Sequence, residues 1–385
     1  MQRSDLAAIK QLAVRLGTEL GAAAVRIAPS FPDEASRERM KQSFERGDLA
    51  TWKYDARYAE TASDPSRILA DARSVVCLAF PYATKAPPRP PLTGRVSNYA
   101  WSNDYHRRIR GALGVLATAI DSAAGESVTA IACDTKPIAE RAFAARAGLG
   151  WIGKHTNLIA GKSGSFVFLG EIVTSLELEP DVPLRTGCGS CIRCVDACPT
   201  GALRGDYTID ATRCIADLTQ RTDSIPAAMR PLLGDWVWGC DLCQVACPPT
   251  RGAGEQGGEN AEPFDAQTAA PSLTRLLRLR SGEFKRRFAP TAMGWRGSAV
   301  LRRNAAVGLG NSLDRSAISP LAEALACDPH PMVRAHAAWA LGRIAAPQSL
   351  HVLRDALEKE TDGDVAQEIR DAMETLRPAS PLHAS

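Results

Sequence analysis

The chain has 385 residues, 45% of them hydrophobic and 23% charged, with a formal net charge of +3. Such a composition excludes disorder, collagen and coiled coil, and the length allows two or three domains with cores of their own. A charge this close to neutral confines any nucleic-acid surface to a local patch.

Residues 4–20 place Leu6, Ile9, Leu12, Ala13, Leu16 and Leu20 at helical spacing, which predicts an amphipathic opening helix. A polar stretch with Trp52, Tyr54 and Tyr58 follows. Val75 to Phe80 is apolar and β-branched up to Pro81 and reads as a buried strand. Five prolines between Pro81 and Gly94 then demand an irregular loop. A helix is expected over Tyr105 to Ala124, a strand over Val128 to Cys133, a helix from Pro137 through Ala147 and a strand over Phe166 to Thr174. Strands separated by helices make residues 1–180 an α/β domain.

Residues 181–250 are cysteine-rich, and 251–272, rich in Gly, Pro, Ala and Glu, read as a linker or insertion. Residues 273–385 carry a repeat. The segment Leu301 to Ala306 matches Val333 to Ala338 at an offset of 32, which Leu309-Gly310 and Leu341-Gly342 keep. A degenerate third copy starts at Val365. Two short helices per copy, with small residues where they pack, predict a HEAT-like α-solenoid. No apolar run approaches the roughly 20 residues of a bilayer span. The N-terminus has neither an apolar signal core nor a twin-arginine pair, so a cytoplasmic protein without membrane contact is expected.

Eight of the 11 cysteines lie between Cys188 and Cys247. In a reducing compartment, such crowding means metal or redox chemistry rather than disulfides. Cys188-x2-Cys191-x2-Cys194-x3-Cys198-Pro199 has the ligand spacing of bacterial ferredoxins, in which three thiolates wrap one cubane and the fourth serves a neighbour. Cys240-x2-Cys243-x3-Cys247-Pro248 repeats the end of that run, and Cys214 completes the count. Two sites of four follow: Cys188, Cys191, Cys194 and Cys247 in one, and Cys198, Cys214, Cys240 and Cys243 in the other. CxxC pairs also build zinc sites, but overlapping runs ending in Cys-x3-Cys-Pro favour two [4Fe-4S] clusters in a ferredoxin-like dicluster domain. Cys77, Cys133 and Cys327, in apolar contexts, read as packing residues.

Gly148-Leu-Gly150-Trp-Ile-Gly153 satisfies G-x-G-x-x-G but follows an expected helix instead of a strand, which rejects a dinucleotide site. Asp134 ends an expected buried strand, a place for working residues, though a helix cap would also suit it. As an acid near neutral pH it would need its pKa raised by desolvation. Lys154, His155 and Asn157 form a polar loop after three glycines, fit for close approach to a ligand. Asp104-Tyr105-His106 begins like the D-x-H-x-x-G signature of base-off cobalamin proteins, but Ile109 replaces the glycine, so His106 is not taken as a cobalt ligand.

Taken together, the Asp134 segment, Pro137 to Arg141, Gly148 to Lys154, Phe168 to Glu171, the cysteine runs and Gly239 to Gln244 resemble the epoxyqueuosine reductases of tRNA queuosine synthesis. The resemblance spans nearly the whole chain. It implies an α/β cobalamin-binding domain with base-off cobalamin and two [4Fe-4S] clusters beside it. It further implies that Asp134 lies over the cobalt as proton donor. Arg57, Lys154, His155, Asn157, Leu158 and Leu169 would border the corrin, with Ser97 in a further contact region. His155 stands where the family commonly has an asparagine. The implied reaction reduces epoxyqueuosine to queuosine in the tRNA anticodon wobble position, with the epoxide oxygen lost as water. A monomer fed by an external low-potential electron donor is expected.

A tRNA substrate requires phosphate contacts. Between Arg275 and Arg303, nine basic residues stand against one acid, Glu283. Arg275, Arg278, Arg280, Lys285, Arg286, Arg287, Arg302 and Arg303 are therefore the expected tRNA contacts. The competing readings are a reductive dehalogenase-like enzyme, commonly exported and without a basic repeat domain, and a non-catalytic dicluster electron carrier, which needs no 180-residue front domain.

Overall fold

The computed structural model describes residues 3–256 and 263–376. They fall into two compact units whose segments interleave along the chain. The first comprises Met1–Ala86, Ser102–Cys214 and Asp241–Pro263, the second Pro87–Trp101, Ile215–Cys240 and Phe264–Ser385. The proline loop and the segment after Cys214 thus belong with the helical repeats, a grouping that no run of consecutive residues could display.

In the first unit a four-stranded sheet runs in the order Ala24–Pro29, Ser74–Pro81, Val167–Thr174, Thr129–Ala132, with every neighbouring pair antiparallel. The Ser74–Pro81 strand is buried from Ser74 to Phe80, as its continuous apolar run requires. Alternation sorts its side chains onto two faces. Val76, Leu78 and Phe80 pack with Ile27 and Ile172 against Ile9 and Ala13 of the Arg3–Glu19 helix and Ile109, Leu113 and Leu116 of the Tyr105–Ala124 helix. Val75, Cys77 and Ala79 pack on the other face with Ala132, Val173 and Phe143 and Ala144 of the short Glu140–Arg146 helix. Two helical layers therefore sandwich the sheet. Asp134 lies just past the Thr129–Ala132 strand, where the chain turns toward Glu140.

The glycine run from Gly148 to Gly153 follows the Glu140–Arg146 helix, which upholds the rejection of a dinucleotide site. Within the stretch 251–272 expected to be a linker or insertion, the chain continues the Pro248–Gln256 helix and forms the short Ala266–Ala269 helix, and residues 257–262 lie outside the described ones. Cys77 and Cys133 are buried, whereas Cys327 is exposed at the end of a surface helix, a correction to its reading as a packing residue.

In the second unit the helices Ser298–Ser312, Ile318–Cys327, Pro331–Ile344, Pro347–Leu357 and Gly363–Thr375 follow the 32-residue period. A Cβ on Gly310 would stand 2.8 Å from the Cα of Ala340, and one on Gly342 would stand 3.0 Å from the Cα of Ala372. The repeated glycine is thus where one helix backbone meets the next. The same period carries an ion pair: Arg302 with Asp328, and Arg334 with Glu360. Among the described residues no helix is long and apolar enough to cross a membrane.

Candidate active site

Asp134 adopts a left-handed backbone, φ +53°, a conformation costly for a residue with a Cβ unless its surroundings impose it. Three contacts do so. The Asp134 amide donates to Glu140 Oε1 at 2.6 Å. Its carboxylate meets His106 Nε2 at 2.8 Å and accepts from the Tyr105 hydroxyl at 3.3 Å. His106 is held from behind, its Nδ1 lying 2.6 Å from Asp104 Oδ1. Asp104 also caps the Tyr105–Ala124 helix by accepting the His106 amide. Tyr105 stacks on Phe168 of the Val167–Thr174 strand, with centroids 4.0 Å apart and planes at 5°, so sheet and helix together fix this corner.

The electrostatics follow from that geometry. The hydrogen bond to His106 holds the Asp134 carboxyl below its ordinary value even though burial works the other way. The same bond, opposed by burial and aided by Asp104, lifts His106 above its ordinary 6.5. Both shifts favour imidazolium facing carboxylate, and the two groups titrate together. Sequence reasoning asked for an Asp134 pKa raised by desolvation; the structure lowers it and favours the proton on His106. The Asp134 side chain remains 56% exposed, open to a substrate.

Beneath the turn are two more carboxyls. Burial lifts Glu140 to about 7, with the Asp134 amide opposing. Glu171 is fully buried, and burial followed by the nearby Glu140 charge pushes it well above the carboxylate range.

The first cysteine set assembles within the first unit. Burial and then the Cys247 and Cys188 thiols push up the Cys194 pKa, and Cys247 in turn feels Cys188 and Cys191. Cys247 is thus within electrostatic reach of the other three. The Lys154 amide donates to Cys188 Sγ at 3.4 Å, and its Nζ donates to the Gly189 carbonyl at 3.0 Å. Cys198 of the second set is lowered against the effect of burial by the Thr200 hydroxyl and by the Ala202 and Leu203 amides, which prepares a thiolate. Among the described residues no group of three His, Cys, Asp or Glu is gathered tightly enough for a single ion. A four-iron cube asks for a wider set, one thiolate per iron.

The residues expected around a corrin are placed as follows. His155 is 2% exposed, lowered by burial to about 4 and hence neutral, and its Nδ1 accepts the Asn157 amide at 3.2 Å. The ring proton therefore resides on Nε2, which is buried with no partner, as is the Trp151 indole N–H. Two orphaned N–H donors on one loop fit a ligand rimmed with carbonyl groups, as the amide-bearing corrin is. Leu158 is buried beside them, Leu169 is half-buried on the sheet, and Arg57 is exposed on the Ala56–Ala62 helix. Ser97 is buried in the second unit, its amide donating to the Trp238 carbonyl.

Of the expected tRNA contacts, Arg303 is corrected outright. It is 0% exposed, and its guanidinium donates to the carbonyls of Arg221, Asp223 and Leu218 and to Asn304. Arg302 is also corrected: its side chain is 11% exposed and tied to Asp328 at 2.7 Å. Arg275 and Arg287 share Glu283, and Arg278 pairs with Glu323. Arg280, Lys285 and Arg286 are exposed on or beside the Ser281–Arg287 helix. The contacts that sequence reasoning missed are Tyr105, His106, Glu140 and Glu171. The Asp-Tyr-His run at a helix start and the quoted Glu140 and Glu171 motifs were their available signals.

Residues 63–135 match the family model described as "Epoxyqueuosine reductase QueG, DUF1730", 187–250 a 4Fe-4S double cluster binding domain, and 296–374 HEAT repeats. An epoxyqueuosine reductase of Bacillus subtilis (strain 168) is 38% identical over 318 residues, covering 81% of this chain and 82% of the relative. The enzyme of that name from Listeria monocytogenes is 34% identical over 96% of this chain and 98% of its own. The chain belongs to the epoxyqueuosine reductase family. A solved epoxyqueuosine reductase with an epoxyqueuosine-modified tRNA-Tyr stem loop superposes with a TM-score of 0.89 at 32% identity, over 96% of this chain and 99% of that one. A Bacillus subtilis structure, TM-score 0.88 at 31% identity, covers 96% and 99% and is described as having its catalytic aspartate loop swung out of the active site. The double-cluster domain makes residues 187–250 an iron–sulfur region.

Proposed function

We infer that this chain is an oxidoreductase that reduces epoxyqueuosine to queuosine in the anticodon wobble position of tRNA. The observation that carries this reading is an exposed carboxylate, Asp134, 2.8 Å from a histidine whose pKa it raises, in a chain that also gathers cluster thiols. Family membership supplies the substrate. The overall change takes two electrons and two protons, breaks the carbon–oxygen bonds of the epoxide, forms the ring alkene and releases water.

When bound, the clusters supply single electrons at low potential from an external donor, and cobalamin supplies a reduced cobalt centre that amino acids cannot. Cys188, Cys191, Cys194 and Cys247 would hold one cluster, and Cys198, Cys214, Cys240 and Cys243 the other. His155, Asn157, Leu158, Leu169 and Arg57 would hold the corrin, with Lys154 tying that loop to the first cluster. Asp134 orients toward the departing oxygen, His106 stores the proton and Asp104 keeps the imidazole aligned. His106 passes its proton to the Asp134 carboxylate, which delivers it to the departing oxygen, and the second proton of the reduction is taken up from solvent. Water exclusion and positioning fall to the stacked Tyr105 and Phe168.

The test is Asp134→Asn in protein reconstituted with both clusters and cobalamin. Turnover of epoxyqueuosine in a tRNA stem loop should be lost while the cluster spectrum is unchanged; full turnover would overturn the acid role.

A further inference from the structure

Two carboxyls of the first unit have no place in the proton transfer just described. Glu171 lies on the sheet face covered by the Glu140–Arg146 helix, opposite Cys77 on one side and Ala132 on the other. Neither of its carboxyl oxygens has a hydrogen-bond partner, and none of its surface is exposed. A carboxylate there would be prohibitive without a cation, so Glu171 is neutral. Its nearest carboxyl is Glu140, the first residue of the covering helix, with the Asp134 charge also within reach, and Glu140 Oε1 accepts the Asp134 amide at 2.6 Å. The turn between them is short and strained, with φ at Asp134 in the left-handed region.

We propose that Glu140, backed by the neutral Glu171, is the positioning residue of the catalytic loop: it clamps the Asp134 amide, imposes the left-handed turn and thereby seats the Asp134 side chain on His106. This deepens the reading of the site as an epoxide reductase and rests on it. A relative's loop has been seen swung out of its active site, so the turn has an alternative position that a clamp must exclude. Glu140 is suited to the work because ionised it is a strong acceptor and neutral a weak one. Burial keeps that change near 7, not at an ordinary carboxylate value. The groups facing it are Asp134, Arg141 and Glu171, with Tyr58, Cys77 and Cys133 also within reach of its charge. Only Arg141 among these is cationic. As pH falls through about 7 the clamp loosens.

The experiment uses full-length protein carrying its clusters and compares Glu140→Ala, Glu140→Gln and Glu171→Gln with the parent. Hydrogen exchange of the peptide around Asp134 is one readout and steady-state kinetics on the tRNA stem loop the other. Glu140→Ala should speed exchange of the Asp134 amide and lower kcat, each by about 10- to 100-fold, the scale of one charge-assisted hydrogen bond. KM for tRNA should stay within about 3-fold, since the residue does not touch substrate. Glu140→Gln, which retains an acceptor without charge, should fall between, and its amide protection should lose the change near pH 7 that the parent shows. Glu171→Gln, a neutral-for-neutral exchange behind the clamp, is read by its cluster spectrum and unfolding midpoint, which should match the parent and show that the fold tolerates substitution there. Unchanged exchange in Glu140→Ala, or faster exchange with unchanged kcat, overturns the proposal. Should the parent fail to reduce epoxyqueuosine, the functional reading falls, while the exchange data still decide the clamp.

Discussion

Arg303 separates a phosphate contact from an internal brace. Its guanidinium donates five hydrogen bonds, to the carbonyls of Leu218, Arg221 and Asp223 and twice to Asn304, from a fully buried position. Burial lowers it from 12.5 to about 9, so keeping the charge there costs roughly 5 kcal/mol. Five charged donors at about 1.5 kcal/mol each more than offset this, and the lost stem packing adds roughly 1–2 kcal/mol. Arg303→Ala should therefore destabilise the protein by about 3–5 kcal/mol, in line with other buried charges stripped of their partners. Denaturant unfolding measures the loss, and tRNA binding across a salt series measures the rest. The salt slope should be unchanged. A mutant within about 1 kcal/mol of the parent, with a slope lower by roughly 0.7–0.9, would mean that Arg303 reaches a phosphate and the reasoning is wrong.

Reversing Arg280, Lys285 and Arg286 to glutamate should do the opposite: stability within about 0.5 kcal/mol of the parent, weaker tRNA binding and a salt slope shallower by roughly 2. An unchanged slope removes this helix from the interface. His106→Gln keeps a donor toward Asp134 but no proton store, so turnover should drop by about 10²- to 10⁴-fold. In the parent, activity should decline as pH rises through the raised His106 pKa, above 6.5. The stability that His106 gains from its carboxylates is fully present below 6.5 and is lost across the same rise. A pH–rate profile in which the mutant keeps the alkaline limb would assign that limb to another group.

Local pattern made much of this molecule legible. The Tyr105–Ala124 helix occupies the residues its periodicity marks, and the 32-residue register places the paired helices. The Ala24–Pro29 strand escaped notice because an exposed Arg26 and a terminal proline interrupt six residues of weak alternation. Strand direction was equally out of reach, since an apolar run is the same read parallel or antiparallel. Arg303 looked solvated because it stands in a run of like charge. Its partner in the repeat is Ala335, a small residue on the packed face, and that correspondence held the signal. The cysteine ligands declared themselves by spacing. The proton network did not, because Asp104, His106, Asp134, Glu140 and Glu171 come from three separate stretches that only the sheet and its two helical layers bring together.

The most direct measurement is nucleoside mass spectrometry of an epoxyqueuosine-containing tRNA stem loop after anaerobic incubation with the reconstituted protein, a reductant and cobalamin. Cobalamin-dependent reduction predicts queuosine, lighter by one oxygen, only when cobalamin and both clusters are present. An unaltered epoxide, or equal reduction without cobalamin, would contradict it.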